Sequence, residues 1–206
     1  MHQSPDPPSR STVTNPQLPA DPPRQEEKLR YTIPTHSSRS IMLHWFHPNL
    51  VLASVANITP ELLQQHGIRS LLLDVDSTLK RYRATELPPE SVQWIESMHE
   101  AGIPLCILSN GREHRIRPLA EQIGIPFVAP ALKPLPFGCR TAMKTMGFDP
   151  KSTAIVGDQI FADILAGKLA KIFTILVTPI HPEEEHWYTR IKRPFEKWVV
   201  RDGVGD

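Results

Sequence analysis

Cysteine is scarce in this chain: only Cys106 and Cys139 occur among 206 residues. Two thiols cannot build a disulfide framework, and their spacing matches no metal-binding pattern. Cys106 lies inside the apolar run IPLCIL, which predicts a buried thiol in a reducing compartment. Excess charge of one sign is also missing, since the formal net charge is +1. Bulk electrostatics therefore gives no support for nucleic acid as a partner. No stretch approaches the roughly 20 apolar residues needed to span a bilayer. The N-terminus lacks the basic-then-apolar order of a secretory signal. These absences lead us to expect a cytoplasmic protein, with peripheral attachment to a membrane left open. The nine histidines are scattered, and His44 and His47, beside Trp45 and Phe46, read as surface or packing residues rather than a metal pair.

The length suits one α/β domain with a proper core and is too short for two comfortable ones. Residues 1–40 are rich in Pro, Ser, Thr and Gln, so they are expected to be a disordered tail. Asp6, Asp21, Glu26 and Glu27 argue against a transit peptide. Residues 41–67 form an apolar lead-in and a short helix. Ile41–Ala56, interrupted by Pro48, is expected to cap the domain or lie on a membrane surface. Thr59-Pro60-Glu61 supplies a hydroxyl cap, a proline at the first helical position and an acid in the first turn. Gly67 ends that helix.

Residues 68–180 alternate between short apolar runs and amphipathic stretches. Strands are predicted at Ser70–Val75, Ile103–Leu108, Phe127–Ala129, Thr153–Val156 and Ile172–Val177. Helices are predicted at Pro89–Ala101, Arg112–Ile123, Pro136–Met146 and Ile160–Leu169. Strands apolar on both faces and alternating with helices describe a doubly wound parallel sheet. Residues 181–206 form a last segment, in which Trp187, Tyr188, Phe195 and Trp198 mix with Arg190, Lys192, Arg193, Lys197 and Arg201. Such a mixture suits a lipid headgroup interface, or else a helix that lays its aromatics on the domain.

Four polar clusters follow four of these strands, at the ends where open parallel sheets bind ligands. They are Asp74-Val75-Asp76-Ser77-Thr78, Ser109-Asn110-Gly111, Lys133-Pro134, and Gly157-Asp158-Gln159 with Asp163 five residues past Asp158. Carboxylates crowded at one sheet edge repel unless a cation joins them. Hard oxygen ligands with room for water suit Mg²⁺. A hydroxyl at Ser109, backbone N–H groups after it and a point charge at Lys133 can hold a phosphate. Each cluster alone is an ordinary turn or cap. Together, in this order, they supply what phosphoryl transfer needs: a carboxylate nucleophile, a metal and a charge clamp.

The set resembles the four motifs of haloacid dehalogenase superfamily phosphatases, from DVDST to GDQIFAD. Within that superfamily the lead-in ITPELLQQHGIRSLLLDVDST and the runs SNGREHRIRPLAEQIGIPF, ALKPLPFGCRTAMKTMGF and VGDQIFADILAGKLAKIFTILVTPI are similar to YqeG-type subclass IIIA phosphatases. These in turn are similar to mitochondrial and plastid phosphatidylglycerophosphate phosphatases. The resemblance implies that Asp74 is the nucleophile and Asp76 the general acid and base, with Thr78 steadying the loop. Ser109, Asn110 and Lys133, with Thr78, would form the phosphate site. Asp74, Asp76 (through its carbonyl), Asp158 and Asp163 would hold Mg²⁺. Ser77 departs from the family, which more often shows Asn there. No cap domain fits between Thr78 and Ser109, so the site should be open, as suits a large or membrane-bound phosphorylated substrate. The expected substrate is a phosphorylated lipid headgroup; a soluble phosphate ester or phosphoprotein is the alternative. A silent binding module of this fold is the third reading, opposed by the presence of both Asp74 and Asp76.

Overall fold

A computed structural model describes residues 43–82 and 84–180; the proposed tail and the aromatic-basic segment lie outside them. Six strands form one parallel sheet: β1 (Leu50–Leu52), β2 (Ser70–Leu73), β3 (Leu105–Leu108), β4 (Phe127–Val128), β5 (Thr153–Gly157) and β6 (Phe173–Val177). Their order across the sheet is β1-β6-β5-β2-β3-β4. The chain thus builds outward from β2 through β3 to β4, then crosses back to place β5 on the other side of β2. The order reverses between β2 and β5, where Leu73 is in register with Val156. Every strand is parallel to its neighbours, so all C-terminal ends open on the same edge.

β2 and β3 are buried at every position because helices cover both faces, which is why their sequences are unbroken apolar runs. One face carries α1 (Pro60–Gln65), α2 (Pro89–Glu100) and α3 (Glu113–Gln122). There Leu63, Ile95, Met98, Ile116 and Leu119 join Leu71, Leu73, Ile107 and Val156 in a single core. The other face carries α4 (Phe137–Met146) and α5 (Leu165–Ala170), whose Cys139, Ala142, Met143 and Ala166 meet Leu72, Cys106, Leu108 and Ile155. The doubly wound parallel sheet expected from the sequence is therefore the one observed. Thr59 caps α1 as expected, its hydroxyl accepting from Leu62 N at 3.2 Å, and Gly67 follows with φ +68°.

Two local departures matter. Within the lead-in, Leu50–Leu52 is neither a cap nor a surface segment but an edge strand, registered on Ile175–Val177 of β6. Asn49 fixes this edge by exchanging hydrogen bonds with Thr174: its N–H donates to the Thr174 hydroxyl at 3.0 Å, and its Oδ1 accepts from Thr174 N at 3.1 Å. The second departure is the start of the helix after β5. Residues Ile160–Ile164 form a π-type turn before α5 begins. That wider turn directs Asp163 back toward the end of β5, where its side chain accepts from Gln159 N at 3.1 Å.

Candidate active site

Each candidate residue sits just past the C-terminal end of a strand. Asp74 follows β2, and its N–H donates to Val156 O of β5 at 2.9 Å. That bond sets Asp74 beside Asp158, which follows β5. Carboxylate oxygens of Asp74, Asp158 and Asp163 all lie within 4.8 Å of one another, and all three residues are buried. A β-carbon on Gly157 would lie 2.2 Å from Asp163 Cγ, so the third carboxylate reaches the strand end only because residue 157 has no side chain.

Lys133 enters this acidic group from the opposite side of β2. Its Nζ donates to Asp74 Oδ1 and to Asp163 Oδ1, both at 2.6 Å. Burial alone would make the ammonium easier to deprotonate, but the carboxylates of Asp163 and Asp74 outweigh it and hold the lysine above its ordinary range. For Asp74, burial is the largest influence. It outweighs the lysine, is reinforced by Asp163, and raises the carboxyl from 3.8 to about 7.

Lys133 is itself held by Asn110. The Asn110 amide donates to Lys133 O at 2.8 Å, and its Oδ1 accepts from Lys133 N at 2.7 Å. Both ends of the Asn110 side chain are thus engaged with the lysine's main chain rather than turned toward a ligand. Ser109, 2% exposed, accepts from Gly111 N at 3.1 Å. With one of its two lone pairs engaged, its O–H can still donate elsewhere. Thr78 Oγ1 is 3.4 Å from Asp158 Oδ1, a link between the loops after β2 and β5.

Asp76 stands apart from the acidic trio. Its carboxylate accepts from Lys80 Nζ at 2.9 Å and from the Arg115 guanidinium. Neither cation was among the residues expected from sequence. Lys80 carries a weak signal, since it lies four positions after Asp76; Arg115 comes from α3 and carries none. Its guanidinium lies against Gly111, whose added β-carbon would be 3.0 Å from Nη2.

Three buried carboxylates are gathered at one sheet edge, two of them held by the ammonium of Lys133. A divalent cation with oxygen ligands would offset the charge of their ionised forms. The donor set is all oxygen and contains no thiol or imidazole, so it fits Mg²⁺ better than a softer metal. Among the described residues this trio is the cluster that could hold a metal.

A buried lysine-carboxylate cluster stands at the switch point of a parallel α/β sheet, the place where such sheets bind ligands. Residues 37–171 match the family described as haloacid dehalogenase-like hydrolase, and the chain belongs to that family. It is 31% identical, over 76% of its length and 90% of the relative's, to probable phosphatase YqeG of Bacillus subtilis strain 168. Among solved structures it is similar to NagD from E. coli K-12, with TM-score 0.45 and 15% identity over 53% of this chain and 87% of that one. It is also similar to 3-deoxy-D-manno-octulosonate 8-phosphate phosphatase from Yersinia pestis, with TM-score 0.47 and 17% identity over 71% of this chain and 84% of that one.

Proposed function

We propose that this protein is a Mg²⁺-dependent phosphomonoesterase that works through an aspartyl-phosphate on Asp74, and that its substrate is phosphatidylglycerophosphate. The observation that carries the catalytic reading is Lys133 Nζ standing 2.6 Å from both Asp74 and Asp163. A carboxylate so paired stays oriented as a nucleophile, and the lysine remains charged to meet a phosphoryl oxygen. The family membership and the relative's name support the same chemistry.

In this reading Asp74 Oδ attacks phosphorus as the bond to the leaving oxygen breaks. Asp76 gives its proton to that oxygen. Asp76 then takes a proton from water, whose oxygen attacks the aspartyl-phosphate and releases inorganic phosphate. The Asp76 carboxylate is held by Lys80 and Arg115, outside the acidic trio, so in this reading only its carbonyl meets the metal. Ser109 donates its hydroxyl to a phosphoryl oxygen, with the N–H of Asn110 beside it. The Asn110 side chain keeps Lys133 in place, and Thr78 steadies Asp158. Asp74, Asp158 and Asp163, with the carbonyl of Asp76, would hold Mg²⁺, which when bound offsets charge on the transferring group.

The lipid substrate rests on the resemblance of the sequence runs to phosphatidylglycerophosphate phosphatases and on the openness of the site. Between β2 and β3 the described chain makes only a turn and α2, with no inserted domain to close over a small metabolite. The test is phosphate release from phosphatidylglycerophosphate in mixed micelles, with and without Mg²⁺, using Asp74→Asn as control. Release that needs both metal and Asp74 is the expected result. If the wild type ignores the lipid yet hydrolyses an aryl phosphate through Asp74, the chemistry stands and the substrate becomes a soluble ester or phosphoprotein. No release from either substrate overturns the enzyme reading.

A further inference from the structure

The described residues expose five large apolar side chains, and three of them fall within six positions around the site lysine. Leu132, Leu135 and Phe137 are 56%, 48% and 56% exposed, whereas Lys133 between them is 7% exposed. This is not a slack loop. Ala131 N donates to Ser109 O at 2.8 Å and Leu135 N to Leu132 O at 2.9 Å, while Asn110 grips both backbone polar groups of Lys133. Behind it, a β-carbon on Gly138 would be 2.4 Å from Ala131 O, so α4 presses directly on the loop's main chain. The loop is fastened from the inside at Ala131, Lys133 and Gly138, and the apolar side chains between these points stay in water.

The charged residues of the loop's own segment have one sign. From residue 122 to residue 148 the sequence contains no Asp or Glu, but it has Lys133, Arg140 and Lys144, of which the last two are exposed. On the far side of the mouth, Arg112 and Arg115 are exposed at the loop that reaches Lys133 through Asn110. The acids there are already paired, Glu113 with Arg117 and Asp76 with Lys80 and Arg115. Apolar side chains on a firmly held loop, in a segment that carries Arg140 and Lys144 and no acid, complement an anionic amphiphilic surface.

We infer that Leu132, Leu135 and Phe137 form a lip that enters the interfacial layer of an anionic membrane and brings the Asp74–Lys133 pocket to phosphate groups at the lipid surface. The inference rests on the lipid-ester reading above. It adds to that reading which part of the chain meets the bilayer, and why a substrate whose acyl chains stay in the membrane can reach a nearly buried nucleophile.

The test is an environment-sensitive fluorophore on the full chain at Leu135→Cys, with Gln64→Cys as control. Gln64 lies at the opposite edge of the sheet, beside Arg69 and Ile103. Cys106 and Cys139 are 1% and 0% exposed, so labelling is confined to the new thiol. With vesicles of phosphatidylcholine and phosphatidylglycerol, the probe at 135 is expected to shift to the blue, brighten several-fold and be quenched by lipid-borne quenchers. The probe at 64 stays unchanged, and binding is at least about tenfold weaker to pure phosphatidylcholine. Vesicle binding without a response at 135 assigns docking to another segment and overturns the lip. So does the absence of any vesicle binding, or a probe already shielded before lipid is added, which would mean that the chain itself or a bound protein covers the lip. Aryl phosphate turnover by the unlabelled wild type judges the catalytic reading separately. Turnover with a silent probe leaves the enzyme and removes the lip; a responsive probe without turnover does the reverse.

Discussion

Gly157 and Asp163 approach so closely that the hydrogen of one stands where a methyl group would strike the carboxylate of the other, at 2.2 Å from Cγ. This contact joins the last position of β5 to the π-type turn that follows it. It lets Asp163 reach Lys133 while accepting from Gln159 N.

Gly157→Ala should therefore displace Asp163 from both Lys133 and the other two carboxylates. Misplacement of a site group by about 1 Å costs on the order of 100-fold in rate. The expected outcome is a folded protein with at least that loss in kcat for aryl phosphate and weaker Mg²⁺ dependence. Steady-state kinetics across a magnesium titration, with circular dichroism as the folding check, measures it.

Lys133→Met keeps the length of the side chain and removes its charge, leaving Asp74 and Asp163 without the ammonium that pairs them. Removing one partner from a buried ion pair costs about 3–5 kcal/mol. Urea unfolding in EDTA at pH 7.5 should show a loss of that size. Part of the loss should return at pH 5.5, where a carboxyl can protonate instead. Hydrolysis should be undetectable at either pH.

The pH dependence of stability without metal follows from Asp74. Burial raises its carboxyl from 3.8 to about 7. A carboxyl raised in this way favours the fold while protonated. Its contribution is complete below about pH 4 and disappears as pH rises through about 7. Three units correspond to at most about 4 kcal/mol, and Lys133 stays charged throughout that window. Melting temperatures in EDTA should fall between pH 5 and 7.5. Because metal ligation needs the ionised carboxylate, added Mg²⁺ should raise the melting temperature more at pH 8 than at pH 5.5.

Ser77 occupies the left-handed region, with φ +65°, inside the loop that follows Asp74. Its N–H donates to Lys80 O at 2.8 Å, so the loop closes on itself there. Serine meets a steric cost in this conformation that asparagine largely avoids. Ser77→Asn should stabilise the protein by about 0.5–1 kcal/mol, read from the shift in urea midpoint at constant slope. The departure at this position thus concerns backbone conformation.

The central strands were readable because burial on both faces leaves no polar interruption: Leu71, Leu72 and Leu73 are all fully buried. The site acids were readable for a related reason, since a carboxylate at the end of such a run has little structural purpose of its own. Leu50–Leu52 was not readable as a strand. It is three residues long, sits at the sheet edge and leaves Val51 48% exposed, so it has neither the length nor the pattern of a buried strand. Its pairing with β6 joins segments about 125 residues apart. The resemblance implies a phosphate role for Asn110, and no local pattern encodes the grip of its side chain on the main chain of Lys133, 23 residues away. Arg115 was missed for the same physical reason: its partner Asp76 lies 39 residues away in sequence, and no local pattern encodes that meeting.

Ile180 N donates to Ser77 O at 2.8 Å, which ties the end of the described chain to the loop that carries Asp74 and Asp76. The chain beyond residue 180 therefore starts its path at the rim of the candidate site and not behind the sheet. A truncation that removed Ile180 would take away this tie and slacken the loop on which Asp74 and Asp76 sit.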